Sequence, residues 1–140
     1  MCMEPRKITV ETRIDADIKK VWDYYTRPEH IVNWNFASDD WQCPRVENDL
    51  TVGGKYVARM EAKDGSFGFD FEALYDEVVT QEKIAYTMSD GRQATTTFLA
   101  QNGATLVMTT FDAESQNDPE MQRSGWQAIL HNFKKYITEN

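Results

Sequence analysis

From residue 7 to residue 14 the chain alternates. Ile8, Val10, Thr12 and Ile14 fall on one side, and Lys7, Thr9, Glu11 and Arg13 on the other. A period of two marks a half-buried strand. The period then lengthens: Asp15 offers a helix cap, and Ile18, Val21, Trp22 and Tyr25 follow at helical spacing. Arg27-Pro28 ends that helix, because a residue before proline is pushed out of the helical region. Pro28 and Glu29 suit the first turn of a second short helix, which runs to about Trp34.

The middle of the chain reads as six strands, over residues 40–48, 54–62, 67–78, 84–89, 93–100 and 105–111. Lys63-Asp64-Gly65-Ser66, Asp90-Gly91 and Asn102-Gly103 separate several of them. Asp-Gly and Asn-Gly tolerate positive φ and favour tight antiparallel hairpins. Asp118-Pro119 then opens a helix of about twenty residues, with Met121, Trp126, Ile129, Leu130, Phe133, Tyr136 and Ile137 recurring at three- and four-residue steps. An amphipathic helix about 30 Å long has to bury its apolar stripe, and one face of the sheet is the only surface large enough. The expectation is an α+β fold in a single domain over residues 1–140. A curved antiparallel sheet of about seven strands wraps the long C-terminal helix, and two short helices follow the first strand.

Alternation also selects the inner wall. Phe67, Phe69, Phe71, Ala73 and Tyr75 share one face of their strand, as do Tyr56, Ala58, Met60 and Ala62 in the strand before it. Ile84, Tyr86 and Met88 point inward from the next strand, and Ala94, Thr96 and Phe98 from the one after. Such a wall of aromatic rings and methionines fits a packed core with Met as gap filler. The sharper reading is a cavity lined by adaptable apolar groups and a few polar tips. Gly125 bears on the choice, since a glycine inside a helix costs roughly 0.5–1 kcal/mol relative to alanine. Met121, Gly125, Ala128 and Asn132 form a slim stripe beside the anchoring one and are expected to border the void. The candidate ligand-binding residues are Trp34, Tyr56, Met60, Phe69, Phe71, Tyr75, Tyr86, Met88, Phe98, Met121, Gly125 and Ile129, with tyrosine hydroxyls orienting a polar end. Trp34, Phe36 and Trp41 flank the mouth.

Charge narrows the partners. Fifteen Lys and Arg stand against 23 Asp and Glu, a net charge of −8. That balance disfavours nucleic acid and anionic lipid surfaces. No apolar run reaches the ~20 residues that span a bilayer, and the N-terminus has no signal-like segment. Cys2 and Cys43 show no metal-like spacing and no expected disulfide. The expectation is a soluble, cytoplasmic protein without a cofactor.

Catalytic signatures are absent from the sequence: no nucleophile elbow, no phosphate-binding glycine loop and no His-Glu-x-x-His. His30 and His131 have no second ligand at metal spacing. Glu77 follows the inward-facing Tyr75 and is the one carboxylate placed where a general acid would be useful. No catalytic residue and no metal ligand is therefore assigned.

Val21-Trp22, Arg27-Pro28-Glu29-His30-Ile31 with Trp34, and Gly53-Gly54-Lys55-Tyr56 form an ordered series. It continues through residues 71–79, residues 82–87, Gly103-Ala104-Thr105 and Gly125-Trp126-x-x-x-Leu130. Together they resemble the proteins related to the activator of heat-shock-protein-90 ATPase, over residues 7–138. That resemblance implies the helix-grip fold of the START and Bet v 1-like (SRPBCC) superfamily, whose members hold apolar molecules between sheet and long helix. Ala73 departs from a position where the family often has glycine, and Thr80-Gln81 from one where it often has prolines. Function transfers weakly with this fold. The leading expectation is a binding domain for a small apolar, aromatic or lipid-like molecule. The rivals are cyclase- or hydrolase-like chemistry on such a ligand using a tyrosine or Glu77, and a chaperone partner or homodimer.

Overall fold

A computed structural model describes residues 7–113 and 118–139; Cys2 lies outside them. Strand β1 (Lys7–Ile14) is followed by helices α1 (Ile18–Thr26) and α2 (Pro28–Ile31). Strands β2 (Trp41–Gln42), β3 (Val46–Asn48), β4 (Lys55–Ala62), β5 (Gly68–Val79), β6 (Lys83–Met88), β7 (Gln93–Gln101) and β8 (Ala104–Asp112) come next, and helix α3 (Pro119–Glu139) closes the chain. The sheet is antiparallel throughout, in the order β1-β8-β7-β6-β5-β4-β2, with β3 also paired to β4. Because β2 and β3 lie end to end along β4, the sheet has seven lanes. Pro44, which has no N–H for a ladder, sits in the break between them.

The first strand buries the predicted side, with Ile8, Val10, Thr12 and Ile14 at 7% exposure or less. The cap of α1 falls later than expected. Asp17, not Asp15, accepts the backbone N–H groups of Lys19 and Lys20, because a turn at residue 16 intervenes (Ala16 N–H to Ile14 C=O, 2.9 Å). The second helix stops at Ile31 and continues as turns, in which Trp34 and Asn35 both donate to the Ile31 carbonyl.

The sheet owes its curvature partly to one irregularity. Between Tyr75 and Glu77 the β5–β6 register shifts, so Asp76 is an extra residue on β5. A bulge bends its strand and resets which side chains face inward. Tyr75 faces in, Asp76 and Glu77 face out, and Val78 rather than Glu77 pairs with the buried Ile84. At the β7–β8 turn Asn102 and Gly103 both take positive φ (50° and 85°), as a two-residue primed hairpin requires.

The concave face of this sheet holds α3. Phe111 of β8 stacks on Trp126 with centroids 4.0 Å apart and planes 9° apart. On one flank of the helix Arg123 and Gln127 donate to the carbonyls of Thr9 and Glu11 on β1 (2.8 and 3.0 Å). Leu130, Phe133 and Ile137 are buried along the same stripe. No helix of the described residues is long and apolar enough to cross a membrane.

Candidate ligand cavity

The sheet and α3 do not meet everywhere. Between them lies a cavity of about 420 Å³, room for about 14 waters at ~30 Å³ each, and a volume typical of small-molecule pockets. Its wall draws on most of the fold. Helix α1 and the segment after α2 contribute Tyr25, Thr26, Trp34 and Asn35; β4, β5 and β6 contribute Tyr56, Met60, Phe69, Phe71, Tyr75, Ile84 and Tyr86. Val10, Thr96 and Thr109 come from the strands beneath, Arg92 from the β6–β7 turn, and Gln122, Trp126, Ile129 and Leu130 from α3. Phe69 is 43% exposed and marks the rim, which Gln122 and Arg92 share.

Four rings make the far wall. Tyr56 and Tyr86 lie parallel (6.3 Å between centroids, 3° between planes), while Phe71 and Tyr75 stand edge-on to both at 6.0–6.4 Å. Ala73 sits between them in the lattice, opposite Tyr56 on one side and Met88 on the other. Its small side chain lets the larger rings lean together over it. Edge-to-face and offset pairs of this kind each add about 0.5–1.5 kcal/mol beyond burial.

The wall's hydroxyls are mostly committed. The Tyr75 hydroxyl donates to Asn48 Oδ1 (2.6 Å), and Asn48 Nδ2 in turn donates to the Thr26 carbonyl (2.7 Å). Tyr25 and Thr96 hydroxyls lie 3.4 Å apart, and Thr96 bonds Thr109 at 2.8 Å. Asn35 Nδ2 donates to the Tyr56 hydroxyl (3.3 Å) and lies 3.6 Å from Met60 Sδ. Burial is the main cause that raises the pKa of Tyr25, Tyr56, Tyr75 and Tyr86 above the ordinary phenol value. Neighbouring phenols push Tyr56, Tyr75 and Tyr86 further in the same direction. All four therefore remain neutral hydroxyls at physiological pH.

Among the described residues that line the cavity there is no carboxylate, histidine, cysteine or lysine. The one cation among those described residues, Arg92, is paired with Asp90 (Nε to Oδ2, 2.7 Å). Glu77, expected near the interior, is exposed on the outer face and pairs with Lys83 at 2.9 Å; the bulge turned it outward. His30 stacks on Tyr24 (4.0 Å, 12°) and its Nδ1 lies 2.8 Å from the Tyr136 hydroxyl, clasping α2 to α3. His131 is exposed. No group of three or more metal-ligating side chains occurs among the described residues.

Of the twelve residues named from the sequence, Trp34, Tyr56, Met60, Phe69, Phe71, Tyr75, Tyr86 and Ile129 line the cavity. Four do not. Met88 and Phe98 face inward but are packed solid at 5% exposure, Phe98 edge-on to Trp22 and Tyr25. Met121 is 65% exposed, and a Cβ placed on Gly125 would meet nothing within 4 Å. The reason is rotation: the Trp126–Phe111 stack and the Arg123 and Gln127 bonds to β1 turn the Gln122–Trp126–Ile129 stripe inward and leave Met121 and Gly125 on the flank. Sequence reasoning missed Tyr25, Thr26, Asn35, Thr109, Arg92 and Gln122 as wall residues. Tyr25 carried a signal in its place on the apolar face of α1; Asn35, Arg92 and Gln122 carried none.

Residues 15–138 match the family described as activator of Hsp90 ATPase homolog 1-like protein. The chain belongs to that family. The AHSA1-like protein from Aeromonas hydrophila is 41% identical, with a TM-score of 0.90, and the match covers 96% of this chain and 93% of that one. Chr148 from Cytophaga hutchinsonii is 46% identical with a TM-score of 0.83 over the same shares. CV1439 from Chromobacterium violaceum, at 23% identity and a TM-score of 0.84 over 94% and 96%, shares the fold. No curated protein matches the chain. As an AHSA1-like protein of the helix-grip type it has the architecture that commonly encloses hydrophobic ligands.

Proposed function

We propose that this AHSA1-like chain is a binding domain that holds a small apolar or aromatic molecule between its sheet and α3. The observation that carries the reading is the cavity of about 420 Å³ walled by Trp34, Tyr56, Phe71, Tyr75, Tyr86 and Trp126. Most of such a wall is hydrocarbon, so transfer of an apolar body from water contributes about 25 cal/mol per Å² buried. The neutral hydroxyls supply orientation rather than charge. Proton transfer is a poor match to this chemistry, because phenols held above their ordinary pKa are weak acids near neutrality. Holding is the better match.

Ile129 tests the reading because it lines the cavity from the helix side. The uncharged fluorophore N-phenylnaphthylamine is titrated into the protein and into Ile129→Phe. The expected outcome is saturable binding to the parent, at least about tenfold weaker binding to the variant, and a urea midpoint that hardly moves because the ring enters space already present. Equal binding by both proteins would place the fluorophore elsewhere and refute the reading.

A further inference from the structure

The wall's phenols are not equivalent. Tyr75 gives its proton to Asn48, Tyr25 is joined to the Thr96–Thr109 pair, and Tyr56 receives Asn35. The Tyr86 hydroxyl has no hydrogen-bond partner among the described residues. Its ring is nevertheless fixed, parallel to Tyr56 and edge-on to Phe71 and Tyr75. A phenol held this firmly on a cavity wall, with its donor uncommitted, is prepared for an acceptor that comes from outside the chain.

We propose that Tyr86 is the residue that selects the ligand, donating its hydrogen bond to a neutral acceptor oxygen, a ketone, ester or amide carbonyl, on an otherwise apolar or aromatic body. The inference rests on the cavity being a ligand site and goes further by naming the polar group it takes. Neutrality follows from the surroundings. A carboxylate here would need a counter-charge, and the one cation among the described residues of the wall, Arg92, already has Asp90 at 2.7 Å. Burial disfavours the charged form of Tyr86 itself and would equally disfavour a buried anion beside it.

The test uses matched probes that differ in the oxygen: acetylnaphthalene, ethylnaphthalene and naphthoate, each titrated by calorimetry into the parent protein, Tyr86→Phe and Tyr75→Phe. The parent is expected to bind the ketone about five- to tenfold more tightly than the hydrocarbon, the worth of one hydrogen bond, and naphthoate more weakly than the ketone. Tyr86→Phe is expected to bind ketone and hydrocarbon alike, with hydrocarbon affinity changed less than about twofold. Tyr75→Phe is expected to keep the preference, because that hydroxyl is already committed to Asn48. A parent that binds both neutral probes equally overturns the inference and leaves the cavity reading standing, as does a Tyr86→Phe variant that still prefers the ketone. Tightest binding of naphthoate overturns the neutral-acceptor assignment. Failure of all three probes to bind removes the cavity reading and the inference with it.

Discussion

Where α1 and the second half of α3 meet β1, β7 and β8, the interior is closed. Ile8, Ile14, Val21, Val107, Phe111, Phe133 and Ile137 are each exposed by 1% or less. Toward β4, β5 and β6 the same concave face stays open, and its wall there is rich in rings (Tyr56, Phe71, Tyr75 and Tyr86) with Met60 and Ile84 among them, several only half-buried. The closed half is dominated by branched aliphatics, which interdigitate at crystal-like density. The open half uses rings that brace one another edge to face, with hydroxyls tied to Asn48, Thr96 and Asn35. A wall of braced rings resists collapse where loose aliphatic chains would fill the gap. The contrast teaches that space in this fold is maintained by side-chain rigidity and hydrogen bonding, not by a shortage of hydrophobic residues.

The largest expected effect comes from truncating one ring in each half. Phe133→Ala deletes a fully buried ring that packs against Trp34 and Tyr25, and is expected to cost about 3–5 kcal/mol in urea unfolding. Phe71→Ala, on a wall that already borders space, is expected to cost less than half as much. Similar losses from both variants would mean that the open half is as solidly packed as the closed one.

A nearly buried carboxylate of the closed half and the phenols of the open half respond to opposite extremes of pH. Asp112, in the closed half, is only 9% exposed at its side chain. Burial works to raise its pKa, but the Lys7 ammonium at 2.6 Å and the Gln93 backbone N–H outweigh that and hold the carboxyl below its ordinary 3.8. A carboxylate with a lowered folded pKa contributes stability above its unfolded value and loses it as pH falls through the folded one. The cavity phenols shift the other way, above 10.0. Their contribution is complete below about pH 10 and is lost as alkali ionises the unfolded chain first. Urea midpoints followed from about pH 7 downward should fall on the acid side below about pH 4, and Asp112→Asn should flatten that limb. Followed upward, they should fall above about pH 10, and Tyr86→Phe should flatten that limb without touching the acid one. A single substitution that flattened both limbs would deny the separation.

Much of this was legible in the sequence. Alternation in residues 67–75 put Phe71 and Tyr75 inside and Phe69 at the rim, but Phe67, expected on the same inner face, is 61% exposed because it precedes β5 beyond the cavity's edge. The turn residues placed most strands within a residue or two of their observed ends. Periodicity, however, reports only which face is inward. It does not say which inward residues meet packing and which meet space, so Met88 and Phe98 were grouped with the wall although α1 and its neighbours cover Phe98. The bulge at Asp76 was equally hidden, and with it the outward turn of Glu77. One inserted residue reverses every later assignment on a strand, and nothing in Tyr75-Asp76-Glu77-Val78 announces it.

Gly125 gives the smallest effect and the finest discrimination between the halves. A glycine in mid-helix reads as a space-maker, and the same residue type at Gly54 does answer to crowding: a Cβ there would collide with the Asp49 carbonyl oxygen. At Gly125 a Cβ would meet nothing within 4 Å, because α3 is rotated to bring Trp126 and Ile129 to the cavity. Without a steric reason for glycine, the backbone entropy argument stands alone, and Gly125→Ala is expected to stabilise the protein by about 0.5–1 kcal/mol. Fluorophore affinity in that variant should equal the parent's, since the new methyl points away from the ligand. Destabilisation, or a loss of binding with stability unchanged, would mean that this flank of α3 does face the cavity and that the boundary between the open and closed halves lies one helix row further round.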